Sequence, residues 1–273
     1  MNKIKLIATD LDGTLLGEDN KMSLENKAAL ETAISQGIEI VIATGRNYSE
    51  VPDDVVNLGI RFFITANGGY VYDKKEDKVL YTKCLTLEQA EYLINLGRIN
   101  NGYEMYYIGR KVYTCTNFMD YIDHVQGADV YRHLYKKYNL CDDISKEEGA
   151  DKYTPKVVIF FETAEDKANM LSMLDRRSEF EQSTSFKENV ELNPKGVSKA
   201  EGLKVIMELL GLQPEEVAAF GDGGNDLKML CLTPNSFAVA GAVPEVKKCA
   251  KYHVASCENN GVSEAVDICL NRL

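Results

Sequence analysis

The stretch Ile4-Lys5-Leu6-Ile7-Ala8-Thr9-Asp10-Leu11-Asp12-Gly13-Thr14 decides how the chain folds. Residues 4–9 form a short, mostly apolar run that ends at turn-forming residues, a pattern typical of a buried strand. Asp10 and Asp12 therefore lie where the strand ends, the edge at which ligands bind in an open α/β sheet. Two carboxylates this close repel each other unless one is protonated or a cation lies between them. The stretch thus indicates a metal site with a carboxylate that acts as acid, base or nucleophile.

A plain acidic turn and a calcium loop are the alternative interpretations of this stretch. Asp and Gly both favour turns, so the residues from Asp10 to Thr14 do not decide the matter by themselves. An EF-hand loop needs Gly at its sixth position and Glu at its twelfth. Counted from Asp10, these positions hold Leu15 and Lys21, so the calcium pattern is not matched.

The composition is that of a globular protein. The chain has 273 residues, of which 45% are hydrophobic and 27% charged, and its formal net charge is −11. This length is enough for one large domain or two smaller ones. The acidic balance argues against a nucleic-acid partner and, more weakly, against an anionic membrane. A small anionic substrate stays compatible, because a single lysine or a metal ion can reverse the local field.

The cysteines and the first residues of the chain bear on the cellular compartment of the protein. Seven cysteines occur, an odd number, and none are spaced as C-x-x-C, so neither a disulfide framework nor a zinc site is predicted. Reduced thiols are the expectation. The apolar run before Asp10 is too short for a signal peptide, and no segment approaches the length of a membrane span. We therefore expect a cytoplasmic protein.

Strand and helix patterns alternate near both ends of the chain. This alternation predicts an α/β fold with a doubly wound, Rossmann-like parallel sheet and right-handed crossovers. The segments in chain order are strand 4–9, helix 23–36, strand 38–43, helix 47–58, strand 61–66, helix 198–210, strand 217–220, helix 227–230, strands 237–240 and 252–255, and a helix from Val262.

The middle of the chain differs in character and predicts an inserted α+β domain. It begins after a hairpin pattern around 70–81, and it contains 10 of the 15 tyrosines, from Tyr92 to Tyr153. Within it, helix 164–177 and a loop at 139–154 are expected. We predict a core made of residues 1–81 and 190–273 and an inserted domain of residues 82–189.

Three further features fall at the same edge of the predicted sheet. Thr44-Gly45-Arg46 follows the second strand, where a hydroxyl and backbone N–H groups can bind an oxyanion or merely cap the next turn. Lys199 lies at a helix N-terminus, where its charge opposes the helix dipole and calls for a nearby anion. Gly221-Asp222-Gly223-Gly224-Asn225-Asp226 follows the strand at 217–220 and offers oxygen ligands suited to magnesium.

Each feature alone has a structural explanation, but together they form one site. Asp10, Asp12, Asp222 and Asp226 cannot lie together without neutralising charge. Magnesium and Lys199 would offset most of that charge, and a phosphate dianion would complete the set. The sequence therefore predicts a magnesium site that binds a phosphate group.

These residues resemble the four motifs of the haloacid dehalogenase superfamily, in order and in strand context. The motifs here are Asp10-x-Asp12-Gly13-Thr14, Thr44, Lys199 and Gly221-Asp222-x-x-Asn225-Asp226. The insertion between Ala66-Asn67-Gly68-Gly69 and the segment 194–199 resembles the Cof-like branch of sugar-phosphate phosphatases. The similarity covers essentially the whole chain, and Gly69 is a small departure, since Ala is more usual there.

The resemblance implies a mechanism and a role for each residue. Asp10 would be the nucleophile and Asp12 the acid and base. Magnesium would be held by the Asp10 side chain, the Asp12 carbonyl and Asp222, with Asp226 orienting water at the metal. Phosphoryl oxygens would be bound by Thr44, Gly45, Lys199, Asn225 and the Leu11 backbone, and Arg46 would either reach the substrate or form a salt bridge. The inserted domain would be a cap that selects a small phosphorylated metabolite.

Other functions remain open on the sequence. A phosphomutase of the same superfamily would return the phosphate to its substrate. A phospho-aspartate signalling protein or sensor would keep the phosphate without turnover, although a receiver domain is small and lacks the second aspartate of the pair. Monomer and homodimer both stay possible.

Overall fold

The structure is a computed structural model that describes residues 3–124, 129–174, 179–185 and 187–271, without the side chains of residues 129 and 130. The strands, in chain order, are β1 Leu6–Thr9, β2 Glu39–Ala43, β3 Phe62–Thr65, β4 Tyr70–Asp73, β5 Lys78–Thr82, β6 Tyr103–Ile108, β7 Lys111–Thr114, β8 Asn139–Leu140, β9 Val157–Phe160, β10 Phe180–Ser183, β11 Asn189–Pro194, β12 Val217–Gly221, β13 Asn235–Val239 and β14 Tyr252–Val254.

The helices of the described residues follow the apolar patterns of the sequence. They are α1 Leu24–Ser35, α2 Asp53–Val56, α3 Leu87–Arg98, α4 Phe118–His124, α5 Asp129–Leu134, α6 Ala164–Leu174, α7 Lys199–Leu210, α8 Leu227–Leu230, α9 Pro244–Cys249 and α10 Gly261–Asn271. Short 3-10 turns lie between them, including Tyr48–Glu50 and Ala66–Gly68.

Capping side chains define where the longer helices begin. Ser23 and Ser198 each accept a backbone N–H from the first turn of α1 and α7. Thr86 and Gln89 form a reciprocal capping box at the start of α3. The helix expected over 47–58 is instead a 3-10 turn followed by the short α2, because Pro52 lacks an N–H and starts a new helix.

The chain separates into two compact units. The first comprises Met1–Arg46, Val51–Tyr81 and Ser198–Leu273, and the second comprises Asn47–Glu50 and Thr82–Val197. The short segment Asn47–Glu50 thus belongs to the second unit, although it lies in the sequence between two pieces of the first.

The first unit is built on an eight-stranded sheet with the order β14-β13-β12-β1-β2-β3-β4-β5. The pairs from β14 to β3 are parallel, and β4 runs antiparallel to β3. Helix α1 packs against α10, and α7 against α8. The predicted α/β class with a mostly parallel, doubly wound sheet is confirmed.

The second unit is built on a six-stranded sheet with the order β10-β11-β9-β6-β7-β8. Residues of α3 and α6, among them Leu93 and Met170, pack with alternate residues of the strands, including Tyr106 and Ile159, into one apolar core. The predicted loop over 139–154 contains β8 and a 3-10 turn. The predicted helix over 164–177 is α6, and its positions 175–177 lie outside the described residues.

Two further observations bear on the sequence expectations. Cys231 and Cys249 form a disulfide, with their Cα atoms 6.6 Å apart. The expectation of reduced thiols is therefore wrong for this pair, because the ends of α8 and α9 meet in a way that cysteine spacing does not reveal. Among the described residues, no helix combines the length and the apolar character needed to cross a membrane.

Candidate active site

The sheet order places three sequence motifs side by side. Strand β1 lies between β12 and β2, so the loops after these strands meet at one edge. Asp10 follows β1, and its N–H donates to the carbonyl of Phe220 on β12. Thr44 follows β2, and Asp222 follows β12. The structure thus brings these three loops together at one edge of the sheet, as the sequence predicted.

Lys199 lies between two of the aspartates. Its Nζ atom is 2.7 Å from Oδ1 of Asp10 and 2.6 Å from Oδ1 of Asp226, and its side chain is fully buried. Burial by itself lowers the pKa of an ammonium group, but the two carboxylates outweigh it and raise the pKa of Lys199. The lysine is therefore a fixed positive charge. Its position at a helix N-terminus predicted a nearby anion, and these two carboxylates are the anions found there.

Asp10, Asp222 and Asp226 form the acidic cluster of the site. One oxygen of each lies within 4.8 Å of the others. Burial, followed by the charge of Asp226, raises the pKa of Asp10 well above its usual value, although Lys199 acts in the opposite direction. Burial also raises the pKa of Asp222 to about 6, against the effect of a hydrogen bond from Thr14. The cluster thus holds more negative charge than one lysine neutralises.

This donor set fits a magnesium ion. Three carboxylates supply only oxygen ligands, which Mg²⁺ prefers, and two of them are buried. A cation beside them would oppose both the burial and the repulsion between carboxylates that raise the pKa values of Asp10 and Asp222. The cluster among the described residues is therefore a candidate magnesium site, held by Asp10, Asp222 and Asp226.

Gly13 allows the two acidic loops to approach each other. Its φ is +76°, and a Cβ atom there would lie 2.6 Å from Oδ2 of Asp222. The next residue, Thr14, donates its hydroxyl to Oδ1 of Asp222 at 2.8 Å. Glycine is therefore favoured at position 13 for two independent reasons, the left-handed backbone and the close approach of the Asp222 side chain.

The Asp12 carboxylate lies outside this acidic cluster, so the structure brings together three of the four carboxylates that the sequence predicted to converge. Asp12 is about half exposed and is held by Arg46, whose Nε donates to Oδ2 at 2.9 Å and whose Nη2 contacts Oδ1. Arg46 Nη2 also donates to Asn20 Oδ1 at 2.6 Å. The salt bridge that the sequence left open for Arg46 thus forms, and its partner is Asp12 itself.

The remaining phosphate-binding candidates lie around this cluster in the first unit. The N–H of Leu11 donates to Oδ1 of Asp10 at 2.7 Å. The hydroxyl of Thr44 accepts the N–H of Arg46 at 3.1 Å, with Gly45 between them. Asn225 lies in the loop of Asp222 and Asp226 and donates its amide to Asn67. Their placement suits oxyanion binding, and their roles stay predictions.

Asn67 is a site residue that the sequence analysis did not single out as functional. It is buried, and its side-chain oxygen accepts from Asn225 Nδ2 at 3.1 Å. Its N–H donates to the carbonyl of Thr44 at 3.0 Å. It therefore ties together the loops that follow β2, β3 and β12. The signal in the sequence was Asn67-Gly68, a pair that favours the left-handed backbone found here, with φ of 59° and 104°.

Gly68 also brings the start of α7 close to the β3 loop. A Cβ atom on Gly68 would lie 2.0 Å from the carbonyl oxygen of Ser198, the residue before Lys199. Only glycine fits this contact, and the contact fixes the first turn of the helix that carries the buried lysine.

Comparisons with known proteins identify the family of the chain. Residues 7–266 match the family model of haloacid dehalogenase-like hydrolases. The chain is 28% identical to phosphatase YwpJ of Bacillus subtilis strain 168, over 95% of this chain and 98% of the relative. It is 30% identical to the 5-amino-6-(5-phospho-D-ribitylamino)uracil phosphatase YcsE of the same strain, over 96% and 94% of the two chains.

Its structure also resembles that of a sugar phosphatase of haloacid dehalogenase subclass IIB. The TM-score is 0.78 at 26% identity, and the similarity covers 96% of this chain and 98% of the other. The protein therefore belongs to the haloacid dehalogenase-like hydrolase family. Within that family it is an enzyme of the phosphatase class, as the sequence motifs predicted.

Proposed function

We propose that this enzyme is a magnesium-dependent phosphatase that hydrolyses small phosphomonoesters, above all sugar phosphates, through a phosphorylated aspartate. The observation that best supports this proposal is that the fully buried Lys199 contacts both Asp10 and Asp226. A fixed positive charge beside a carboxylate at a strand end suits the binding of a phosphoryl group next to its nucleophile.

The proposed reaction has two steps that use the Asp10 and Asp12 carboxylates. In the first, an oxygen of Asp10 forms a bond to phosphorus, the bond to the leaving alkoxide breaks, and Asp12 gives that alkoxide its proton. In the second, Asp12 takes a proton from water, the water oxygen forms a bond to phosphorus, and the bond between phosphorus and the Asp10 oxygen breaks. Inorganic phosphate leaves and Asp10 returns to a carboxylate. This division of roles is the one that the family resemblance implies. The two carboxylates have separate environments, since Asp10 is buried beside Lys199 and Asp12 is half exposed beside Arg46, and a cation at the acidic cluster would favour the ionised form of Asp10 that a nucleophile needs.

Arg46 and Lys199 have distinct roles in this proposal. Arg46 holds the Asp12 carboxylate by two atoms and thereby orients the group that moves the proton. Lys199 neutralises charge on the phosphoryl oxygens together with the backbone N–H groups of Leu11 and Gly45, the Thr44 hydroxyl and the Asn225 amide. Such fixed donors supply most of the stabilisation in phosphoryl transfer.

Magnesium would be held by Asp10, Asp222, Asp226 and, as the family resemblance implies, the carbonyl of Asp12. When bound, the ion neutralises charge that develops on the transferring phosphoryl group. Asp226 has a second task, since its Oδ2 accepts the N–H groups of Asp222 and Gly223 at 3.0 and 2.9 Å. It thereby fixes the loop that presents Asp222.

The substrate class rests on the relatives. A structural neighbour is named a sugar phosphatase, and a relative at 30% identity is named a phosphatase of a phosphoribitylamino-uracil. Both substrates carry a phosphate on a polyhydroxylated carbon chain. We infer that this enzyme acts on a phosphorylated metabolite of that kind, that the second unit selects the leaving group, and that the enzyme acts in the cytoplasm.

A phosphate-release screen tests the proposal. The purified protein is incubated with phosphorylated metabolites, including hexose and pentitol phosphates, with magnesium and with a chelator. Asp10→Asn is compared with the wild type, since it keeps the shape of the side chain but removes the nucleophile. Asp19→Asn, a change in the loop that follows the same motif, is the matched control, and circular dichroism confirms that each variant is folded.

The expected result is magnesium-dependent release by the wild type and by Asp19→Asn, with none by Asp10→Asn. Release by Asp10→Asn at the wild-type rate would overturn the assignment of the nucleophile. Isomerised substrate without free phosphate would identify a phosphomutase instead. A phosphorylated protein that persists without turnover would identify a signalling protein or a sensor.

A further inference from the structure

The segment Asn47–Glu50 directly follows Arg46, yet it is part of the second unit. It forms a single 3-10 turn over Tyr48–Glu50. No sequence motif assigned it a task, and the proposed mechanism does not use it. Its contacts nevertheless determine how the backbone continues beyond Arg46.

A buried carboxylate fixes the end of this segment. Glu50 is 3% exposed, and its Oε2 accepts the hydroxyl of Tyr107 at 2.9 Å while its Oε1 accepts the hydroxyl of Tyr138 at 2.7 Å. Oε2 also accepts the N–H of Asn47 at 2.8 Å, which closes the turn. Buried carboxylates require such donors, because an unpaired buried charge is very costly. Burial, followed by the charge of Glu50, raises the pKa of Tyr107, so its phenol stays a donor.

A second set of contacts fixes the beginning of the segment. The side-chain amide of Asn47 donates to the carbonyl of Gly109 at 2.9 Å, in the turn between β6 and β7. The Asn47 side-chain oxygen accepts the N–H and the hydroxyl of Ser49, each at 3.0 Å. The segment is therefore held at both ends by residues of its own unit.

Arg46 is the residue that connects this held segment to the proposed chemistry. Its N–H donates to Thr44 Oγ1, and its carbonyl accepts from Ala66 at 3.0 Å. Its long side chain has many rotamers, of which one places the guanidinium across both oxygens of Asp12. Because Asn47 is bonded directly to Arg46, a displacement of the held segment would also displace the point from which the Arg46 side chain starts.

We propose that Glu50, held by Tyr107 and Tyr138, is a positioning residue that fixes the backbone beyond Arg46 and thereby keeps the Arg46 guanidinium on Asp12. The proposal rests on the proposed function, in which Asp12 transfers the proton. It predicts that the two tyrosines affect the rate of turnover through Arg46, although neither is among the proposed catalytic groups.

The first test is a double-mutant cycle on phosphate release. Glu50→Gln and the double change Tyr107→Phe with Tyr138→Phe are made in the wild type and in Arg46→Ala. Tyr106→Phe is the matched control, since Tyr106 is buried on the same strand and donates to the carbonyl of Cys141 instead. We expect kcat to fall about tenfold in the wild-type background with KM within about twofold, because small displacements of an orienting group cost rate. In the Arg46→Ala background we expect no further fall, and in Tyr106→Phe no fall at all.

Two outcomes of this cycle overturn the proposal. An equal fall in both backgrounds would show a general structural role that does not act through Arg46, and an unchanged kcat would show no role. If Glu50→Gln does not fold, the tyrosine changes still provide the cycle, since each removes one hydroxyl only.

A second measurement separates this proposal from the proposed function. The Nε–H resonance of Arg46 in nuclear magnetic resonance spectra reports its bond to Asp12 without any turnover. We expect it to shift in Glu50→Gln and in the double tyrosine variant but not in Tyr106→Phe, and an unchanged resonance would overturn the proposal. A wild type that releases no phosphate while this shift is seen would contradict the proposed function alone.

Discussion

Lys199 contacts the Asp10 carboxylate at 2.7 Å although the two residues are far apart in the sequence, one after β1 and the other at the start of α7. The same ammonium lies 2.6 Å from Asp226, so one buried charge serves two carboxylates. Removal of the Lys199 charge leaves both carboxylates without their main cation. A small displacement of the Lys199 ammonium would instead change how Asp10 faces a phosphoryl group.

Lys199→Met is expected to lower kcat/KM by about 10²–10³-fold, because a fixed charge on the transferring group is lost. It also lowers the free energy of unfolding by about 3–5 kcal/mol in the absence of magnesium, since two buried carboxylates lose their partner. Phosphate release and urea unfolding measure the two effects. Lys204→Met is the control, because Lys204 lies on the same helix and forms an exposed pair with Glu201. Similar losses in both variants would contradict the assigned role of Lys199.

Magnesium is expected to raise the melting temperature of the chelator-treated protein by several degrees. At about 100 times the dissociation constant, a bound ligand adds about 2.7 kcal/mol to the free energy of unfolding. Differential scanning calorimetry measures the shift. We expect Asp222→Asn to remove most of it and Asp12→Asn to retain it, because the Asp12 carboxylate faces Arg46 and lies outside the acidic cluster. The reverse pattern would show that the cluster does not hold the ion.

Gly68→Ala is expected to destabilise the protein by at least about 3 kcal/mol, because its Cβ would meet the Ser198 carbonyl oxygen at 2.0 Å. Gly59→Ala is the matched control. Gly59 has a similar φ of +88° but no atom within 4 Å of the added Cβ, so it should cost only about 1–2 kcal/mol of backbone strain. Urea unfolding of both variants isolates the close contact, and equal losses would show that Ser198 moves aside freely. Only Gly68→Ala should also lower activity, through displacement of Lys199.

Asp73→Asn tests an ion pair away from the site. Asp73 is buried and accepts two donors of Arg61, at 3.1 Å from Nε and 2.7 Å from Nη2. Burial acts to raise the pKa of Asp73, but the hydrogen bonds from Arg61 and from the N–H of Glu76 prevail and lower it. A lowered pKa means that the pair stabilises the folded state above the unfolded-state pKa. That contribution is lost as the pH falls through the folded-state value.

The wild type should therefore exceed Asp73→Asn in free energy of unfolding by about 2 kcal/mol at neutral pH. The difference should hold down to about pH 4 and shrink below it. Urea midpoints across this range measure it, and Arg61→Met should remove the pH dependence in the same way. A difference that grew on acidification would mean that Asp73 is not the ionised partner.

Much of the fold follows from local patterns in the sequence. The apolar runs at 4–9 and 217–220 give β1 and β12, and the capping serines at 23 and 198 mark the starts of α1 and α7. The region 47–58 departs from its helical pattern for one local and one tertiary reason. Pro52 begins a separate short helix, and Glu50 is held by tyrosines that lie far along the chain.

Some features of the site likewise follow from the sequence, and others depend on tertiary contacts. Strand order brings the loops of Asp10, Thr44 and Asp222 together, and motif order was enough to predict it. Side-chain choices were not predictable, because the partner of Arg46 depends on a rotamer rather than on spacing. The role of Asn67 and the pairing of Cys231 with Cys249 likewise depend on which loops and helices meet.

The position of β12 beside β1 also sets an order of events during synthesis. Strand β1 leaves the ribosome before β12, and this neighbour is made only at Val217–Gly221, after the whole of the second unit. One edge of β1 therefore waits unpaired while more than half of the chain is translated, and residues 82–197 can fold before the sheet is complete. Lys199, Asp222 and Asp226 are all translated after the second unit, so a nascent chain carries the proposed nucleophile Asp10 long before the residues that surround it in the folded protein.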